Sequence, residues 1–184
     1  MKWKKLGLVY GPDGSMEWAK DSALTPTPIT LNESVIRVYA GFRDRQGISR
    51  IGYVDVDATN PVRILKVSQN PVLDIGRDGS FDDNGLILGD FLRFGSKIMM
   101  YYVGFQHVQK AKFLAFTGLA QSLDNGESFE RVSEAPVLDR KNEAIYIRAL
   151  HSVIYEENKI KAWCGVGNSW EFIGGKPFPR YNIR

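Results

Sequence analysis

Cysteine is nearly absent. The one present, Cys164, cannot pair within the chain, which excludes an intrachain disulfide framework and fits a reducing compartment. In Lys161-Ala-Trp-Cys-Gly165 it reads as a small buried hydrophobe. Histidine is almost as scarce: His107 and His151 offer no zinc spacing, so no metal is expected, and a hydrogen-bonded core residue is the plainer reading of His151. No apolar run reaches the ~20 residues of a membrane span, and the basic start Met1-Lys-Trp-Lys-Lys-Leu6 lacks the apolar stretch of a secretory signal. These absences predict a cytoplasmic protein with no membrane partner. Charge of one sign is not in excess either. Lysine and arginine number 24 against 21 acidic residues, a net +3, and they are scattered, which argues against a nucleic-acid partner. No window sustains the helical period, and no glycine-rich phosphate loop or nucleophile elbow occurs, so helix should be minor and no cofactor is expected.

What is present is repetition. Val67-Ser-Gln-Asn-Pro-Val-Leu-Asp74 recurs as Val132-Ser-Glu-Ala-Pro-Val-Leu-Asp139, six of eight positions matching at an offset of 65. Upstream, Gly52 in Ile51-Gly-Tyr-Val54 answers Gly118 in Thr117-Gly-Leu-Ala120. Ile98-Met-Met-Tyr-Tyr-Val-Gly-Phe105 is echoed by Val35-Ile-Arg-Val-Tyr-Ala-Gly-Phe42 and by Ile160-Lys-Ala-Trp-Cys-Gly-Val-Gly167. Self-similarity at a fixed spacing marks a repeat architecture, and strand-rich units of about 65 residues predict propeller blades rather than a helical solenoid. The 18 glycines fall between strand-like runs, where turns need them.

In chain order, residues 3–10 alternate as one strand, stopped by Gly11-Pro-Asp-Gly14. Residues 18–30 read as extended but irregular. Strands follow at 35–42, 48–57 and 63–67, then at 86–94, 97–105, 113–122 and 129–132, with a longer loop at 106–112. The last runs are 147–155 and 159–166, after which residues 167–184 read as a loop and the start of a further strand. The fold class is therefore all-β, a propeller of about two and a half four-stranded antiparallel blades in a single partial domain. Its first blade spans about 24–73, the second about 76–138 and the start of a third about 144–184, with an N-terminal strand at 3–10. Closed propellers use ~4 to 8 blades, so either the remainder of the ring or a second copy of the chain is expected to cover the open edges.

Ser122-Leu-Asp-Asn-Gly-Glu-Ser-Phe129 fits the Asp-box pattern S-x-D-x-G-x-[ST]-[FW] and resembles that of sialidase-type propellers, where the box is a turn device away from the catalytic face. The wider pattern is similar to the five-bladed propeller glycosidase superfamily (glycoside hydrolase families 32, 43, 62, 68 and 130). It rests on Ile36-Arg-Val-Tyr39, Pro71-Val-Leu73, Gly79-Ser-Phe-Asp-Asp83, Met100-Tyr-Tyr102 and the box with Phe129-Glu-Arg131. It also resembles propeller proteins found among bacterial surface-polysaccharide biosynthesis proteins. The matches cover most of the chain and about half of a five-bladed protein.

The resemblance implies an enzyme that cuts glycosidic bonds with two carboxyl groups facing across a central funnel lined by the innermost strands. It places an active-site aspartate of the second blade at Asp82 or Asp83; an Asx-type turn in Asp82-Asp-Asn-Gly85 is the other reading. Glu143, before the third inner strand, stands where an acid would, or is a solvated loop glutamate. The first-blade aspartate should lie near Thr25-Pro-Thr-Pro-Ile29, which holds no carboxylate; Asp21 is just upstream. Arg43 and Asp44 are candidates to hold a sugar hydroxyl or phosphate through the guanidinium fork, or form a surface salt-bridging turn. Arg148 and His151 lie three apart in one strand, so at most one faces the funnel unless a bulge intervenes. Trp18, Tyr102 and Trp170 could stack on sugar, with packing between blades favoured for Tyr102 and a ligand role for Trp170. Two functions follow as expectations: a carbohydrate-active protein working on a glycan or polysaccharide precursor, or a carbohydrate-binding or assembly module that keeps the scaffold without the active site.

Overall fold

The computed structural model describes residues 2–184, and every regular element among them is a strand. The fold is all-β and of the propeller type. β1 (Asp21–Asn32), β2 (Val35–Arg43), β3 (Ser49–Asp57) and β4 (Ile64–Val67) form one sheet in chain order. β5 (Leu86–Phe94), β6 (Lys97–Gln106), β7 (Leu114–Ser122) and β8 (Glu130–Arg131) form a second antiparallel meander. β9 (Ile147–Glu156), β10 (Lys159–Ile173) and β11 (Lys176–Ile183) form a third. It joins the second through a short parallel ladder that pairs Ala115 with Ile147 and Phe116 with Arg148.

The repeated Pro-Val-Leu-Asp segments do one job twice. The amides of Val72 and Leu73 donate to the Ile51 carbonyl at 2.8 and 3.4 Å, and those of Val137 and Leu138 donate to the Thr117 carbonyl at 2.8 and 3.2 Å. Each acceptor precedes a glycine on which an aromatic ring lies. A Cβ on Gly52 would come within 2.4 Å of the Trp18 ring, and one on Gly118 within 2.2 Å of Tyr102. Each meander thus folds its outgoing chain back over its own third strand.

The middle strands are buried on both faces, which explains their nearly continuous apolar runs. Side chains alternate across a strand. Tyr39 of β2 therefore joins Ile51, Tyr53, Leu86, Leu88, Ile98, Met100 and Tyr102 in the core between the first two meanders, while Ala40 and Phe42 pack on the opposite face with Val54 and Val56. Tyr101 of β6 points the other way, to Leu150 and Val153 of β9. β5 and β9 approach so closely that a Cβ on Gly89 would lie 2.5 Å from the Leu150 carbonyl. There the Asp90 carboxylate accepts from the Val153 amide at 2.8 Å and the Ser152 hydroxyl at 3.1 Å.

One charged cluster ties the first meander to the second. Arg37 is fully buried, and its Nε and Nη2 donate to both oxygens of Asp55, its direct cross-strand partner, at 2.7 and 2.8 Å. Nη2 also reaches Glu127, in the β7–β8 turn, at 2.6 Å. Glu127 further accepts from the Tyr53 hydroxyl at 2.7 Å and from Lys66 at 2.9 Å. The guanidinium lies 3.6 Å above the Tyr53 ring centroid, a geometry that adds cation–π attraction. The Tyr39 hydroxyl donates to the Gly126 carbonyl at 2.9 Å. Gly126 holds φ at +85° in that turn, and any Cβ there would run into Tyr39. Asp124 fastens the same turn by accepting from the hydroxyls of Ser122 and Ser128, both at 2.6 Å.

Three local expectations change. Residues 3–10 carry no strand, although Tyr10 packs edge-on to Phe42 with centroids 6.1 Å apart. The proline- and threonine-rich stretch is the long strand β1, irregular in its register shifts and in the positive φ of Ser22 and Thr25. Residues 167–184 are the end of β10 and the whole of β11 rather than mostly loop; the alternation there is masked by Gly174-Gly175, which is only the hairpin turn.

Two outcomes follow from the clamp. Arg37→Met leaves the Asp55 charge buried without its partner and should cost about 3–5 kcal/mol, read as a lower urea midpoint; Arg37→Met combined with Asp55→Leu should recover most of that loss. Burial alone would raise the Glu127 carboxyl, but its bonds from Tyr53, Arg37 and Lys66 hold it down at about 2 against an ordinary 4.5. A depressed folded-state value means the stability is present above pH 4.5 and is lost as pH falls toward 2, because the unfolded chain takes up the proton first. The melting temperature should drop across that window, and Glu127→Gln should flatten the drop.

Candidate functional site

The starts of β1 and β5 and the β6–β7 loop meet around a cleft of about 450 Å³. Its apolar lining is Leu24, Ile87, Phe105 and Phe113, and its polar groups are Thr25, Arg43, Ser49, Asn84, His107 and Lys112. A second cavity, about 610 Å³, adjoins it across Lys112 and is lined by Lys110, Tyr146, Asn168 and Trp170. The two are linked by the edge-on contact of Phe113 with Trp170, centroids 5.0 Å apart. Together they form a trough along the inner-strand starts. The indole Nε1 of Trp170 is buried there without an acceptor, a state that calls for an explanation because buried donors are ordinarily paired.

Thr25 stands on the cleft wall with φ at +45°. A β-branched residue pays strain to sit there, and such strain concentrates at binding sites. Register shifts on either side of Leu24 let β1 adopt this shape. Among the described residues no carboxylate lines the cleft. Thr25 occupies the region where the resemblance expects an aspartate on the first blade, and Asn84 represents the Asp82-Asp-Asn-Gly85 motif.

Asp82 is completely buried. Its Oδ2 accepts from the Tyr102 hydroxyl at 3.0 Å and from Arg131 Nε at 2.9 Å, with Arg131 Nη2 at 2.7 Å, and Oδ1 accepts from Ser80 at 2.8 Å. Burial and the nearby carboxylate push the Tyr102 hydroxyl well above its usual range, so it stays a donor. Gly76 and Gly104 leave the room that the Asp82 side chain fills. Asp83 accepts from the Gly79 amide, four residues back, at 2.9 Å and from the Asn84 side chain at 3.1 Å, bonds that close the loop before β5 rather than form an Asx turn, whose donor would be the amide two residues on. Asp44 accepts from the amides of Gln46 and Ile48 at 2.9 and 3.0 Å and from Arg50 at 2.7 Å. Burial raises its carboxyl, and these bonds outweigh that and leave it lowered.

Glu143 is exposed at the rim of a separate cavity of about 230 Å³ that also holds Arg180 and Tyr181. Arg148 is half-buried and donates to the Asp139 carbonyl at 3.1 Å. A bulge does intervene in β9: Leu150 pairs with Cys164 and Ser152 with Trp163, which leaves His151 as the extra residue, its imidazole against Gly165. Trp18 donates to the Gln69 carbonyl at 2.9 Å and packs on Phe42, so it serves the fold. Cys164 is a free, half-buried thiol raised by burial. Arg43 and Trp170 are thus the predicted residues that reach the trough, and the structure adds Asn84, His107 and Lys112. The length of the 106–112 loop, which joins the middle strands β6 and β7, was the signal for the last two.

No known protein family matches the chain as a profile. The chain is 31% identical over 170 residues to an uncharacterized protein present in two strains of Mycobacterium tuberculosis, a match covering 92% of this chain and 56% of that one. It therefore spans little more than half the length of the curated relatives it matches. Among solved structures, sucrose-6-phosphate hydrolase from Lactobacillus gasseri superposes with a TM-score of 0.62 at 12% identity, over 80% of this chain and 29% of its own. A glycoside hydrolase gives 0.60 at 19% identity over 85% and 45%, and a family 32 β-fructofuranosidase of Bombyx mori gives 0.59 at 14% over 90% and 35%. The shared feature is the fold of propeller glycoside hydrolases.

Because Asp82 is wholly committed to Arg131 and Tyr102, Asp82→Asn should destabilise the protein by about 2–5 kcal/mol, the cost of stripping a buried charge of its partner. Calorimetric melting checks this; an unchanged melting temperature would show that the pair carries no structural weight.

Proposed function

We propose that this chain recognises a glycan in the trough between Arg43 and Trp170, on a glycosidase-type scaffold and without a complete pair of catalytic carboxylates of its own. The observation that carries this reading is the chemistry of the trough. Arg43, Asn84, His107 and Lys112 offer side-chain hydrogen-bonding groups beside an apolar and aromatic lining, while Asp82, Asp83 and Asp44 are spent on internal bonds. A concave site with an apolar lining and a few placed polar groups is the ordinary form of a small-ligand site. The Ser122–Phe129 turn, read as an Asp-box, is scaffold here. The other side of the funnel comes from the remainder of the ring, supplied by further chain or by a second copy.

The competing reading is an acid–base glycosidase in which Glu143 serves as acid and Asp83 as its partner. The exposure of Glu143 beside Arg180 favours it, and such catalysis needs two carboxyl groups within ~10 Å across the scissile bond.

A glycan panel tested by calorimetry, together with an assay for released reducing ends, separates the two. Binding without turnover is expected, with Trp170→Ala weakening affinity about tenfold through the lost aromatic wall of the trough. Turnover abolished by Glu143→Gln would establish the competing reading, and a panel with neither binding nor turnover would end both.

A further inference from the structure

Arg43 is the odd arginine of the first meander. Arg37, Arg45, Arg50 and Arg63 each have a carboxylate partner within 4.0 Å. Among the described residues Arg43 has neither an ion pair nor a side-chain hydrogen bond, although a carboxylate is its immediate neighbour in sequence. Asp44 does not neutralise it because Asp44 is already held by Arg50 and two turn amides. Lys112 and His107, from the β6–β7 loop, line the same cleft and likewise lack ion-pair and hydrogen-bond partners among the described residues. Lys110, from that loop, lines the adjoining cavity.

The cations reach the cleft from two separate segments of chain, and among the described residues no carboxylate lines it; Asp21, across the ladder from Arg43, accepts from the Ser22 hydroxyl and makes no ion pair with that guanidinium. Between exposed cations solvent screens most of the repulsion, so the two share the cleft at little cost and stay available to a ligand. Arg43 and Lys112 are themselves exposed, so a ligand that seats over Leu24, Ile87, Phe105 and Phe113 would displace water from around them and strengthen the ion pair it forms. A guanidinium presents a planar fork matched to carboxylate and phosphate oxygens, while an ammonium acts as a point charge.

We infer that the ligand is an anionic sugar, one bearing a phosphate or a carboxylate group, whose charged oxygens are held between Arg43 and Lys112. This rests on the glycan reading above and narrows it. Asn84 beside the pair can both donate to and accept from sugar hydroxyls. The trough toward Trp170 leaves room for the rest of the glycan.

The test titrates the protein with glucose 6-phosphate, glucuronate, glucose and inorganic phosphate, following amide shifts by NMR at low and at high salt. At least one charged sugar should bind about tenfold tighter than glucose, a preference of the size of a single charge-assisted bond. The preference should shrink at high salt. Arg43→Gln and Lys112→Gln, both at exposed side chains, should each remove most of it without moving the melting temperature. Tighter binding of glucose 6-phosphate assigns a phosphate, and tighter binding of glucuronate a carboxylate; either supports the inference. Inorganic phosphate binding as tightly as the sugar phosphate would overturn it, since the sugar would then go unread. Neutral glycans binding with no gain from charge would overturn it and leave the glycan reading intact, whereas failure of every sugar would remove both.

Discussion

The structure depends on a buried guanidinium. Arg37 lies where a large apolar side chain would be the simpler choice, and its desolvation is tolerable only because Asp55 meets it bidentately and Glu127 adds a third bond. Buried ion pairs of this kind add little net stability over apolar packing, but breaking one is costly. What the pair provides is definition. Asp55 belongs to the same sheet as Arg37, whereas Glu127 belongs to the next meander, so the third bond forms only once the two meanders are docked at this angle. That angle sets β1 beside β5 and thereby shapes the cleft.

The second meander repeats the device with different residues. Asp82, Arg131 and Tyr102 tie the 76–85 loop to β6 and β8, and Asp90 with Thr117 ties β5 and β7 to β9. Carboxylates at positions that resemble catalytic ones are thus spent on holding loops and strands. The cleft they leave between them is lined by cations, amide and hydroxyl groups. Its chemistry follows from this division of labour between buried anions and exposed cations.

Much of this was legible in the sequence, for physical reasons that can be named. The Pro-Val-Leu-Asp repeat is visible because both copies must make the same backbone bridge over a glycine, and that geometry tolerates few substitutions. β2, β3, β6 and β7 are visible because strands buried on both faces must be apolar along their whole length. β1 was harder: its prolines and threonines hide the pairing, and its register shifts break the period of two. The Arg37 clamp was present in Ile36-Arg-Val38 as a charge inside an apolar run, but its partner Glu127 is 90 residues away, beyond the reach of any local pattern. The fate of Asp82 was hidden for the same reason, because Arg131 lies 49 residues on. The site itself was half visible: Arg43 and Trp170 stand out as polar or aromatic residues beside strand runs, whereas His107 and Lys112 sit in a loop marked only by its length.

The spacing of the clamp also fixes an order of assembly. Each meander is made of neighbours in the chain, and such short-range pairing closes quickly because little loop entropy is lost. Arg37 and Asp55 are 18 residues apart and can meet as soon as the first hairpins close. Glu127 is synthesised much later. On a ribosome, which extends chains by ~5–20 residues per second, the first sheet therefore waits several seconds with one face uncovered and its guanidinium only partly satisfied. The joining of the two meanders is then the late event, and the turn around Gly126 is the piece whose arrival completes it.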